Sequence, residues 1–156
     1  MAVDMFLKID GIKGESLDKT HKDEIDILSF GWGEAQEAPR GQDKPAVDMQ
    51  DFSFVSFVDQ AAPELFLKAA DGKKITEATL VVRKAGDKPL EYLKIKFQDI
   101  IVSSYQFGGS GAEDRQTNQF MFNYAKIYYT YQRQNPDGSA GTTVTRGWDR
   151  ENNLPL

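Results

Sequence analysis

The feature that most limits what this chain can fold into is one long stretch, Leu93 to Arg133. It reads as two strands joined by a glycine-marked loop. Leu93, Ile95 and Phe97 alternate with Lys94 and Lys96, and Ile100, Ile101 and Val102 follow. Alternation of β-branched and aromatic residues at period two predicts a strand that buries one face. The second arm carries Phe120, Phe122 and Tyr124 on even positions, then Ile127, Tyr129 and Tyr131 on odd ones. A one-residue slip turns every side chain to the other face. Keeping both triplets inward therefore calls for a bulge near Tyr124 to Lys126; the alternative is a strand covered on both faces. Gly108-Gly109-Ser110-Gly111-Ala112-Glu113-Asp114-Arg115 separates the arms as a loop. A bent ribbon of this length predicts a curled sheet and a mainly β fold, a small barrel of bent strands.

The rest of the chain supplies shorter strands and one helix. Val3, Met5, Leu7 and Ile9 alternate as a first strand. Ile25 and Ile27, then Leu28, Phe30 and Trp32, repeat the change of phase, so a second bulge is expected at Ile27-Leu28, with Leu28 and Phe30 inward. Val47 to Val58 reads as a third strand with Phe52, Phe54 and Val58 on one face, and Lys74 to Lys84 as a fourth with Leu80 and Val82 inward. The helix is expected over Ala61 to Ala70. Pro63 sits in its first turn, Asp59 and Glu64 lie near its N-terminus, Lys68 near its C-terminus, and Gly72 ends it. Asn135-Pro136-Asp137-Gly138 is a turn before a last strand with Thr142, Val144, Arg146 and Trp148 in alternation. Glu151 to Leu156 reads as a short C-terminal tail, residues 151–156.

At 156 residues the chain reads as a single domain, 1–156, and its 40% apolar content suffices for a core. The net charge of −5 opposes binding to nucleic acid, whose phosphates require a basic face. With no cysteine, disulfides and thiolate sites are excluded. Met1 to Glu15 has no basic or long apolar region of a cleavable signal, and no stretch reaches the length of a membrane span, so folding in the cytoplasm is expected.

No catalytic, cofactor or metal motif emerges. His21, in the charged segment Asp18 to Asp23, has no sequence-local partner pattern and is expected to be solvated. Asp23, Glu24 and Asp26 lack the spacing of a calcium loop and read as a charged strand edge. The Gly108 to Gly111 run is followed by Glu113 and Asp114, which would repel phosphate. The chain is not expected to be an enzyme or to hold a cofactor.

Two sets of spaced motifs do carry a likeness. The first is Val3-Asp4-Met5-Phe6-Leu7-Lys8-Ile9, Gly14-Glu15-Ser16 and Glu24-Ile25-Asp26-Ile27-Leu28-Ser29-Phe30-Gly31-Trp32-Gly33. The second is Val102-Ser103-Ser104, Gly108-Gly109-Ser110-Gly111, Glu113-Asp114-Arg115 and Asn123-Tyr124-Ala125. Together they resemble the haemolysin co-regulated protein (Hcp) family over nearly the whole chain. That resemblance implies a β-barrel with one helix, homohexameric rings, and rings stacked as the inner tube of the type VI secretion system. It further implies partnership with a contractile sheath, tip spike proteins and effector proteins carried in the ring. Export to the medium or a target cell would need no cleavable signal.

The resemblance also gives meaning to the excursion from Ala38 to Ala46, where prolines and charges stand in place of a glycine-rich stretch that some members carry. It implies a loop projecting toward the next ring, with Pro39, Arg40, Gln42, Asp43, Lys44 and Pro45 as candidate stacking residues. Gly31 and Gly33 clear the strand face opposite Trp32, which marks a close approach or a bend. In a ring they become candidates for the lumen lining. Two other readings stay open: a small-molecule-binding barrel with an internal cavity, and an exported effector-like protein. An added catalytic domain is not expected in a chain whose last strand lies so near its end.

Overall fold

The computed structural model describes residues 3–37, 40–41, 46–86 and 89–156. In chain order they form β1 (Val3–Ile9), β2 (Ile25–Gly31), β3 (Glu34–Gln36), β4 (Val47–Met49), β5 (Phe52–Phe57), α1 (Ala62–Asp71), β6 (Ile75–Lys84), β7 (Leu90–Gly108), β8 (Thr117–Gln134), β9 (Ala140–Asp149) and β10 (Leu154–Pro155). The sheet runs β10-β9-β8-β5-β2-β1-β6-β7, and β7 pairs back onto β8. Six strands therefore close into an antiparallel barrel, with β9 and β10 added beyond β8. Closure removes the open edges that a sheet of this size would otherwise expose. The expected tail is in part a strand: Leu154 and Pro155 pair with Asp149 and Trp148.

The ribbon is β7 and β8, paired from Leu93↔Tyr131 to Gly108↔Thr117. The expected bulge at Tyr124 to Lys126 is absent. Register is unbroken from Phe97↔Ile127 to Val102↔Phe122 and shifts only between Val102 and Ser104. The change of phase is real, but both strands make it at one level. Ile95 and Phe97, then Ile100 and Val102, are buried on β7, opposite Ile127 and then Tyr124 and Phe122 on β8. Asp99, at φ +52°, is the residue of β7 that absorbs the change. At the same level β8 exchanges its second neighbour, pairing with β5 up to Phe52↔Phe122 and with β9 from Lys126↔Asp149.

The bulge in β2 is present, with the register against β5 shifting between Ile27 and Ser29. Leu28 is the extra residue and is 41% exposed, so it does not point inward. Phe30 does share the core face, opposite Phe54 and stacked on Phe52, but the rim of the barrel leaves it partly exposed. The expected third strand is split. Val47–Met49 pairs with β3 in a separate hairpin, β5 begins at Phe52, and Val58 lies beyond its end.

Aromatic rings fill the barrel. Phe54, Phe97, Phe120 and Phe122 are fully buried, with Phe54 edge-on to Phe122 at 5.0 Å and Phe52 edge-on to Phe97 at 4.9 Å. Such tilted pairs are favoured by the ring quadrupole. The helix forms close to its expected span. Pro63 occupies its first turn, Asp59 accepts a hydrogen bond from the Ala61 N–H, and Gly72 at φ +68° returns its N–H to Lys68 O. Leu65 is buried in the core while Phe66 and Leu67 face outward. The antiparallel order puts α1 and the β7–β8 turn at one end of the barrel. Trp32, the β3–β4 hairpin and the later half of β8 lie at the other.

Candidate functional site

The end opposite α1 is not finished. Trp32 closes part of it, donating from Nε1 to the Tyr124 hydroxyl at 2.5 Å, and that hydroxyl donates to Gln50 O at 3.0 Å. Burial pushes the Tyr124 phenol up to about 12, so it remains a donor across the physiological range. Beyond this lock the core face of the sheet continues into the open. Ile127↔Trp148, Tyr129↔Arg146 and Tyr131↔Val144 are cross-strand pairs on β8 and β9. They form one wall of a cleft of about 790 Å³, and Trp32, Val47 and Met49 form the other. Tyr129 is 51% exposed, where an inward side chain was expected. The reason is the exchange of neighbours on β8: past Lys126 no strand lies across the barrel to cover it. The cleft has one acid, Glu34, and one base, Arg146, and no nucleophile–base pair. The rest of its lining is mostly aromatic and aliphatic.

The β3–β4 hairpin is the root of the predicted stacking loop. Beyond its ladder, Glu37 N donates to Ala46 O at 2.7 Å and Ala46 N to the Gln36 side chain at 2.8 Å. Arg40 is exposed in a turn with Gly41, which takes φ +91°. Pro39, Gln42, Asp43, Lys44 and Pro45 lie outside the described residues. The short strand Glu34–Gln36 has too few residues to show a periodicity in the sequence, and Val47–Met49 is the first part of the strand expected over Val47 to Val58.

Gly31 and Gly33 are on the outer side of the same wall. Gly31 pairs with Ser53, which pairs with Met121, and a Cβ on Gly31 would meet the Ser53 Oγ at 3.2 Å. Gly33 lies against the Gln50 amide. Nearby, Ser103 Oγ and Asn123 Nδ2 both donate to Asp51, at 2.6 and 3.0 Å. Around Gly31 the outer face of β2–β5–β8 thus carries Ser53, Asp51 and Asn123 beside the apolar Val55 and Met121.

The segment 11–24 departs most from its sequence reading. It folds back along the outside of β1 and covers Phe6 and Val81, a buried pair that points away from the core. Gly14 permits the close approach, since a Cβ there would lie 2.4 Å from Glu24 O. His21 is buried, not solvated. It stacks on Phe6 at 4.4 Å, its Nδ1 is 3.0 Å from both Glu24 carboxylate oxygens, and its Nε2 is 2.6 Å from Glu91. Arg83 completes the cluster with a two-pronged pair to Asp18, at 2.7 and 3.0 Å, and a bond to Asp4 at 3.2 Å. Those hydrogen bonds hold the Asp18 carboxyl well below the ordinary carboxylate range. Glu91 is also lowered: burial opposes its charge, but His21 and Lys94 outweigh that. Carboxylates from β1, the 11–24 segment and β7 thus grip two basic side chains. Among the described residues no group of three or more acidic or histidine side chains is placed to hold a metal ion.

Comparison with known proteins decides what this architecture serves. Residues 6–131 match the family model described as type VI secretion system effector, Hcp. The chain belongs to the Hcp family. It is 42% identical to protein hcp1 of Pseudomonas aeruginosa over 99% of both chains. Its fold superposes on Hcp1 from Salmonella typhimurium with a TM-score of 0.84 at 37% identity, covering all of both chains. A type VI secretion system effector from Yersinia pestis gives 0.80 at 37% identity, covering 94% of this chain and 99% of that one. As an Hcp-family protein the chain is a type VI secretion tube protein, a structural component of that machine. The Hcp motifs of the sequence fall at structural junctions. Glu24 to Gly33 forms β2 with its bulge and the Trp32 lock, and Asn123-Tyr124-Ala125 is where β8 changes neighbours. No helix among the described residues is long and apolar enough to cross a membrane.

Proposed function

We propose that this chain forms homohexameric rings whose stacks make the inner tube of the secretion machine. The observation that carries the reading is an Hcp barrel, matched over 99% of both chains to its relative, with its interior filled by side chains and its apolar surface left uncovered at one end. A filled interior leaves no room for a ligand inside the barrel, which weighs against a small-molecule carrier. Uncovered apolar cross-strand pairs suit a surface that meets another protein.

In this reading the smooth face around Gly31 and Gly33 lines the lumen and holds effectors. The loop carrying Pro39, Arg40, Gln42, Asp43, Lys44 and Pro45 reaches the next ring. The tube sits inside a contractile sheath behind a tip spike, is assembled in the cytoplasm, and leaves the cell on contraction without a cleaved signal. Its work is mechanical, and no catalytic step is assigned to it. Sedimentation with negative-stain microscopy tests the assembly: annular particles are expected, and a uniform 17.5 kDa species would overturn it.

A further inference from the structure

We propose that the cleft at the open end of the barrel receives the outward face of α1, Phe66 and Leu67, from the neighbouring copy. This rests on the ring reading and names the two surfaces that would build the ring. The first argument is position. The cleft and α1 occupy opposite ends of one barrel, because the strands are antiparallel and α1 links the far ends of β5 and β6. A contact between them is head-to-tail and heterologous. Each copy then offers one cleft and one helix, and the repeated contact can close into a ring. A two-fold contact of cleft on cleft would exhaust itself in a dimer.

The second argument is chemistry. Phe66 is 59% exposed and Leu67 51%, side by side on the face of α1 turned away from the buried Leu65. They are the large apolar side chains that α1 itself leaves uncovered, with Phe107 of the β7–β8 turn also exposed at that end. Tyr129, Tyr131 and Val144 are their counterparts in the cleft. Charges bracket both surfaces. Glu64 and Lys68 stand four residues apart on α1, and Arg146 and Glu34 stand on opposite walls of the cleft. Among the described residues none of these four joins an ion pair within the chain. Docked, Glu64 faces Arg146 and Lys68 faces Glu34, and the complementary pairs fix the direction of the helix in the cleft.

The chain's lack of cysteine makes the test direct. A double variant, Leu67→Cys with Val144→Cys, is oxidised mildly and run on a non-reducing gel. A covalent ladder ending at six copies is expected, while a mixture of the two single variants stops at dimers joining one of each. Rings by sedimentation with no ladder would overturn the contact while leaving the ring standing. So would Val144→Cys alone forming dimers with itself. A parent chain that sediments only as 17.5 kDa, and a double variant uncrosslinked even when concentrated, would remove ring and contact together. Charge reversal gives an independent readout. Arg146→Glu is expected to raise the dissociation constant of the ring at least tenfold with an unchanged circular dichroism spectrum. Adding Glu64→Arg is expected to restore assembly, and failure to restore it would refute the assigned pairing.

Discussion

The two halves of β8 carry the same kind of side chain at the same spacing and meet opposite fates. Phe120, Phe122 and Tyr124 in the first half are buried to within 1% of complete. Tyr129 and Tyr131 in the second half, continuing the row begun by Ile127, are about half exposed. The difference is in what lies across from each half. The first is enclosed by β5 and the opposite wall of the barrel; the second is flanked by β7 and β9 within one sheet and faces the cleft. An apolar alternation records that a face must be covered, not which chain covers it. On one strand, the first half serves the stability of the single chain and the second half is left uncovered by that chain.

The largest expected effect tests the enclosed half. Phe122→Ala should destabilise the isolated chain by about 3–5 kcal/mol, read from denaturant unfolding, because the ring leaves a cavity among Phe54, Phe97 and Phe120. A loss under about 1 kcal/mol would erase the distinction between the halves. Arg83→Met comes next. It strips the hydrogen bonds from Asp18 and Asp4 and uncovers Phe6, where the guanidinium sits 4.9 Å from the ring centre. About 2 kcal/mol is expected, since bonds to charged groups exceed neutral ones. Such a loss would show that an outer surface can be tied down from within the chain, unlike the cleft.

The same pair gives a pH dependence. The folded Asp18 carboxyl titrates below its unfolded value of about 3.9. Its contribution is therefore complete above that value and is lost as pH falls below it, toward the depressed folded value. Because the site is near solvent, the contribution is on the order of 1 kcal/mol. Unfolding midpoints measured from pH 5 down to pH 2 should fall more steeply for the parent chain than for Asp18→Asn. Parallel slopes would mean the pair is not made in solution.

In the open half, Tyr131→Ser should cost the isolated chain less than about 1 kcal/mol, as for a half-exposed side chain. Sedimentation of the same variant should show rings weakened far more than that loss implies; unaffected rings would assign the face to solvent. Smallest for the chain itself is replacement of Pro39 to Pro45 by a short Gly-Ser link. The Glu37–Ala46 bond and the β3–β4 ladder stay, so unfolding should be unchanged and rings should remain. Stacking into tubes should be lost, and normal tubes by microscopy would relieve the loop of that role.

The sequence by itself determined the barrel class, the single helix and its ends, the bulge after Ile27 and the family. These rest on local signals: period-two alternation, Pro63 and Gly72 at the helix termini, and motifs contiguous in the chain. What only the tertiary structure decided depends on residues far apart in sequence. Asp99 and Ala125 sit at the level where both ribbon strands change phase together, so a slip that looks like a bulge on either strand alone needs none when the two are paired. His21 looks solvated in a segment of charges, and is buried because Phe6 and Glu91 arrive from β1 and β7 to meet both faces of its chemistry. Tyr129 and Tyr131 look like core, and are open because β8 has left the barrel wall before it reaches them. Local patterns are set by the neighbouring few residues of the chain. Burial and charge pairing are set by which distant strands the closed sheet brings alongside.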